Sequence, residues 1–212
     1  MNLLLLLCFI LPLLALCEVR EAATGHVWQD TESKKLSLAG VGVRVKTIGP
    51  IKAKVYSVAV YLDKSLAISR LAKFKGMPAI ELANSRDFEN SLINADCPKS
   101  IMLRMARDVG AEKMVSALAE SVKPRIAGDT SALKQFQAVL SEALKDGGAK
   151  NNMVFRFDLP NKNKLSLLVD GKARGAINSP ALVKAMCAVY LDDKCVSPGL
   201  KLQVANTLPS WL

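Results

Sequence analysis

Histidine is nearly missing from this chain: His26 is the only one among 212 residues. One histidine and scattered cysteines cannot supply a usual zinc site, and no HExxH or CxxC pair occurs. A Ser-His-Asp or Cys-His arrangement would have to use His26, which falls in a segment expected to be flexible and reads as a surface residue. Phosphate-binding glycine loops are missing too. Neither GxGxxG nor GxxxxGK[ST] is present, and Gly40-Val41-Gly42 alone is too short to count. No catalytic residue, metal or cofactor is indicated by these motifs. Cysteine is scarce: beyond the first 17 residues only Cys97, Cys187 and Cys195 remain. That odd number permits one disulfide and indicates no framework. Aromatic residues make up 5% of the chain and do not interleave with the basic ones. A base-stacking surface is therefore excluded, and nucleic acid is not an expected partner. Beyond the leader, no segment is apolar enough to cross a membrane.

What is present begins with an apolar leader. Leu3 to Leu16 carries no charge, and the stretch closes on Ala15-Leu16-Cys17. This is the shape of a secretory signal peptide, residues 1–17, cleaved to leave a single domain at 18–212 in a secreted or lumenal protein. The n-region has no Lys or Arg, so an uncleaved anchor is the alternative. The remaining length suits one domain with a full core. The formal net charge of +10 favours anionic partners, such as acidic lipid surfaces or carboxylates.

Val41, Val43 and Val45 alternate with Gly42, Arg44 and Lys46, the period of a two-faced strand. After Gly49-Pro50, the run Val55 to Leu62 is apolar on both faces, as in a covered strand. A turn near Pro50 pairs the two strands antiparallel and sets Arg44 against Tyr56. Lys64 to Phe74 reads as a short helix, Ala79 to Ala83 as a strand, and Ser100 to Met105 as another strand. Ala111, Met114, Val115, Leu118 and Val122 form a helical stripe that Pro124 ends. Asp129 caps a second helix bearing Leu133, Phe136 and Leu140, stopped by Gly147-Gly148. Met153–Leu159 and Lys164–Asp170 make a hairpin. Helices then close the chain, one capped by Ser179 and one opened by Ser197-Pro198. Asp192-Asp193 reads as a solvated polar turn. The order argues an α+β fold, an antiparallel sheet with helices on one side.

One pair carries chemistry. If the face bearing Arg44 and Tyr56 turns inward, the guanidinium needs an anionic partner, which a ligand carboxylate would supply. On spacing alone, an Arg44 on a solvated edge beside a core Tyr56 accounts for the pattern slightly better.

Several segments resemble the chalcone isomerase superfamily. Gly40-Val41-Gly42-Val43-Arg44 and Lys54-Val55-Tyr56-Ser57-Val58-Ala59-Val60-Tyr61-Leu62 are similar to its paired strands. Cys97-Pro98-Lys99-Ser100-Ile101-Met102-Leu103-Arg104-Met105 resembles the next core strand, and Tyr190 to Lys201 the closing turn and helix. The resemblance implies an open-faced β-sandwich, a large antiparallel sheet with a helix layer and a ligand cleft between them. In the family's enzymes an Arg, a Thr, a Tyr and an Asn serve cyclisation of a chalcone to a flavanone. Arg44 matches the Arg, but Tyr56 falls at the Thr, Gly110 at the Tyr and Ala117 at the Asn. Glycine and alanine side chains cannot polarise a ketone. Arg44 with Tyr56 is similar to the family's non-catalytic fatty-acid-binding members, where such a pair holds the carboxylate. The resemblance thus implies a fatty acid or similar carboxylate as ligand, its tail among Val58, Val60, Met114 and Leu118. The alternatives are an intramolecular lyase with a remodelled site and a pocketless structural or regulatory protein.

Overall fold

Two long strands joined by a two-residue turn organise the molecule. The computed structural model describes residues 17–32 and 36–212; the leader-like stretch 1–16 lies outside them. Strands β1 (Glu18–Arg20) and β2 (Val27–Gln29) form a small hairpin. Strands β3 (Thr31–Glu32), β4 (Leu36–Ile48) and β5 (Ile51–Asp63) open the main sheet. It continues through β6 (Lys99–Met105), β7 (Val154–Asn161), β8 (Lys164–Val169) and β9 (Lys172–Asn178). The sheet runs β3-β4-β5-β6-β7-β8-β9 with every neighbouring pair antiparallel. Between β5 and β6 stand α1 (Lys64–Leu71), α2 (Ala79–Asn84) and α3 (Arg86–Asn94). Helices α4 (Ala111–Val122) and α5 (Thr130–Leu144) join β6 to β7, and α6 (Pro180–Leu191) and α7 (Pro198–Thr207) close the chain. This is the α+β architecture that the sequence indicates.

The helices cover one face of the sheet. Tyr56, Val58, Val60 and Leu62 of β5 join Ile101 and Leu103 of β6, and Phe155 and Phe157 of β7, in the main core with Leu118, Phe136 and Met186. The opposite face carries a second, smaller cluster of Trp28, Leu36, Leu38, Val41, Ala59 and Tyr61. The strong apolar character of β5 follows from being covered on both sides.

Side-chain caps fix the helix starts. Asp63 accepts from the Leu66 amide, Ser85 from Phe88 and Asp129 from Ala132. Ser179 accepts from Leu182 N–H while its hydroxyl donates to Asp129 at 2.8 Å, tying the start of α6 to that of α5.

Three expectations need correction. Ala79–Asn84 is a helix, not a strand. A strand would place Ile80 and Leu82 on one face, whereas a helix separates them by about 200°. Ile80 is 66% exposed and Leu82 fully buried, as the helix requires. The turn Asp170-Gly171 leads into β9 rather than straight into helices. Asp192 is not merely solvated: Arg125 donates to it through Nε at 2.6 Å and Nη2 at 2.9 Å, both side chains being largely buried. This two-pronged contact joins the end of α6 to the turn after α4.

Glycines set how closely α7 approaches the sheet. A Cβ at Gly42 would lie 2.6 Å from Ser197 Oγ and 2.7 Å from the Leu200 backbone nitrogen. At Gly40 it would lie 2.9 Å from a Val204 methyl. The Gly40-Val41-Gly42 pattern is therefore a packing notch for α7, and Gln203 of that helix accepts from the Val41 amide.

Candidate functional site

The β4–β5 hairpin builds the site. Ile48 opposes Ile51 across the turn, and Val45 opposes Lys54, so opposed positions first sum to 99. A bulge then leaves Val55 without a partner and brings Arg44 opposite Tyr56. Without that extra residue Arg44 would face Val55. The bulge also reverses the alternation, so Lys54 leaves the helix-covered face and donates to Ala23 O beside the β1–β2 hairpin.

Arg44 and Tyr56 meet directly. Arg44 Nη1 donates to the Tyr56 hydroxyl at 3.2 Å, and the guanidinium carbon lies 5.7 Å from the ring centroid. Tyr56 is fully buried, while Arg44 is half-buried. A third residue completes the group: the hydroxyl of Tyr190, on α6, lies 3.2 Å from that of Tyr56 and is equally buried. Burial drives the Tyr190 pKa well above that of a free phenol, and Tyr56 adds to it. Burial opposes the charge on Arg44, but Tyr56, Tyr190 and the more distant Glu120 outweigh it and raise its pKa. Arg44 is thus a permanent cation. Among the described residues no carboxylate lies within ion-pair distance of it.

The four residues expected along a ligand tail lie on the same side of the sheet as this group. Val58 and Val60 extend along β5 from Tyr56; Met114 and Leu118 project from α4. All four are buried, at no more than 2% exposure, and belong to the packed core. Two concavities lie elsewhere. One, of about 10 Å³, is lined by Leu82, Phe88, Leu92, Leu191 and Val204. The other, of about 250 Å³, is an open groove bordered by Leu36, Asp63, Lys99 and Arg156. Pockets for drug-sized ligands run to roughly 300–1,000 Å³, and neither concavity is lined by Arg44, Tyr56 or Tyr190.

Gly110 precedes α4 with open space around its Cα, and Ala117 is half-buried on that helix. Neither brings a hydroxyl or amide toward Arg44. His26 departs from expectation: it is half-buried, and its Nδ1 lies 2.7 Å from the hydroxyl of fully buried Ser57. Burial lowers its pKa, and nearby Arg104 lowers it further. Tyr190 escaped the sequence reading as a site residue. Its signal was a phenol on a helix face otherwise made of Leu182, Met186 and Val189, where a buried hydroxyl needs a partner.

A seven-stranded antiparallel sheet with helices over one face defines the class, an open-faced β-sandwich, and Arg44, Tyr56 and Tyr190 form a polar group between its layers. The family model described as "Chalcone isomerase-like" matches residues 82–204. Chalcone isomerase-like protein 2 of Humulus lupulus is 28% identical over 189 residues, spanning 85% of this chain and 90% of the relative. Chalcone–flavanone isomerase of Phaseolus vulgaris is 26% identical over 191 residues, spanning 85% and 86%. The crystal structure of an Arabidopsis thaliana fatty-acid binding protein superposes with a TM-score of 0.82 at 21% identity, covering 92% of this chain and 98% of that one. The chain belongs to the chalcone isomerase-like family.

Proposed function

We propose that this protein is a non-catalytic member of its family that binds a fatty acid or similar apolar carboxylate between sheet and helices. The observation that carries the reading is the half-buried Arg44 joined to the buried Tyr56 hydroxyl, with no carboxylate among the described residues within ion-pair distance of it. Such a cation is costly unless an anion completes it, and a carboxylate fits the fork of an arginine and a phenol. The fold neighbour described as a fatty-acid binding protein supports the same ligand class. Against isomerase chemistry stand Gly110 and Ala117, which offer no polar side chain for a ketone oxygen. The tail enters when α4 and its neighbours lift from β5, exposing Val58, Val60, Met114 and Leu118. Secretion directed by residues 1–17 belongs to the same proposal and places the protein where it meets lumenal or extracellular lipid. Titration with palmitic acid and with its methyl ester tests the reading. Preference for the acid by an order of magnitude or more is the expected result, and equal binding of both refutes it.

A further inference from the structure

The hydrogen-bond ledger around Tyr56 gives Tyr190 a role that neither the family match nor the sequence assigns. Tyr190 is fully buried, and the one hydrogen-bond partner of its hydroxyl among the described residues is Tyr56. Either hydroxyl can donate across this contact, and in either direction one of the two buried protons is left without an acceptor within the group. Arg44 Nη1 donates to the Tyr56 oxygen. With Tyr190 as the donor, the Tyr56 oxygen accepts two hydrogen bonds and its own proton is the one left for an acceptor outside the group.

The cluster is thus a surplus of donors. A chain of hydrogen bonds polarises its members, and a phenol that accepts from a cation and from a second phenol becomes a stronger donor itself. We infer that Tyr190 is a positioning residue for the ligand carboxylate: by donating to Tyr56 it turns the Tyr56 proton outward, and so makes the site select an anion over a neutral oxygen. Tyr190 does not touch the ligand; it acts through Tyr56. This inference rests on the carboxylate-binding reading above and adds the residue that sets its selectivity.

The test is a double-mutant cycle read as the acid-to-ester affinity ratio for palmitic acid and methyl palmitate. Tyr190→Phe removes one oxygen and keeps the volume. It is expected to weaken acid binding by about three- to tenfold and leave the ester unchanged, as fits loss of one hydrogen bond to a group that becomes charge-assisted. In the Tyr56→Phe background, Tyr190→Phe is expected to have no further effect. Incorporation of 3-fluorotyrosine at position 190, nearly isosteric and a stronger donor, is expected to tighten acid binding and raise the ratio, a change no packing role produces. A wild-type protein that prefers the acid while Tyr190→Phe and the fluorinated form keep the same ratio overturns the role of Tyr190 alone. An additive loss in the Tyr56→Phe background also overturns it, because Tyr190 would then contact the ligand directly. A wild-type protein that binds acid and ester equally overturns the carboxylate reading and this inference together.

Discussion

Replacing Arg44 by methionine separates the ligand's charge from its tail. Methionine keeps roughly the apolar stem of arginine and removes the guanidinium. Truncating one partner of a buried charge pair typically costs about 2–5 kcal/mol, much of it from the charge left unpaired. Arg44 is only half-buried, so water screens part of the interaction, and the lower end of that range applies. A loss of about 2–3 kcal/mol corresponds to about 30- to 150-fold in affinity for the acid. The ester, which carries no charge, is expected to change by no more than about threefold, since the apolar contacts remain. The effect on the free protein is small. Substitution loses one hydrogen bond of about 1 kcal/mol and a cation–ring contact of about 0.5–1 kcal/mol. It also relieves the partial burial of a cation that has no ion-paired carboxylate among the described residues, and Tyr56 keeps its bond to Tyr190. Calorimetric titration of wild type and variant with both ligands, beside thermal melts of the free proteins, is the assay. An Arg44→Met protein that binds the acid as tightly as wild type refutes the reasoning, for then the guanidinium does not read the carboxylate.

Gly42→Ala is expected to destabilise the protein by about 2–3 kcal/mol, lowering the melting temperature by roughly 4–12 °C, because the new methyl meets the Leu200 backbone of α7; an unchanged melt refutes the notch. His26 has a pKa below its ordinary 6.5 in the folded state, so the unfolded chain binds more protons as pH falls through that value. Stability is therefore full above about pH 6.5 and is lost as pH drops toward the folded value, and His26→Asn is expected to flatten that step in melts taken between pH 7.5 and 5. Cyclisation of chalcones to flavanones is expected to stay at the spontaneous rate, measured by loss of the chalcone absorbance, since removing even one preorganised polar group costs on the order of a hundredfold. Material secreted from a eukaryotic host is expected to begin at Glu18 on N-terminal sequencing, whereas a retained Leu3–Leu16 segment in membrane pellets contradicts the signal peptide.

The strands that bury side chains on a regular period were readable in the amino-acid order, and those that do not were hidden. Strand β5 announces itself by a run of eight positions, Val55–Leu62, in which only Ser57 is not apolar, and α4 and α5 by clean apolar stripes. Strand β9 carries Lys172 and Arg174 at the sheet edge, and only Ile177 is buried, so nothing in its composition signals a strand. The short β1–β2 hairpin is held by Trp28 and Val19 against the second face, a contact with residues far along the chain. Helix α2 misleads because Ala-Ile-Glu-Leu-Ala is too short to show a period. At the site, the pairing of Arg44 with Tyr56 was anticipated from a turn centred on Pro50. It is realised through a turn offset by one residue and a bulge at Val55 that restores the register, and the bulge has no local sequence mark. Tyr190 lies 134 positions from Tyr56, and only the packing of α6 over β5 brings the two hydroxyls together.

The central claim, that this fold holds a carboxylate lipid, is tested most directly by what the protein carries. Native mass spectrometry of the purified protein, followed by organic extraction and identification of the released species, reads this without choosing a probe. The account predicts a fatty acid at a substantial fraction of one per chain, lost from Arg44→Met prepared in the same way. A well-folded wild-type protein that releases no lipid, and acquires none when incubated with long-chain acids, contradicts it.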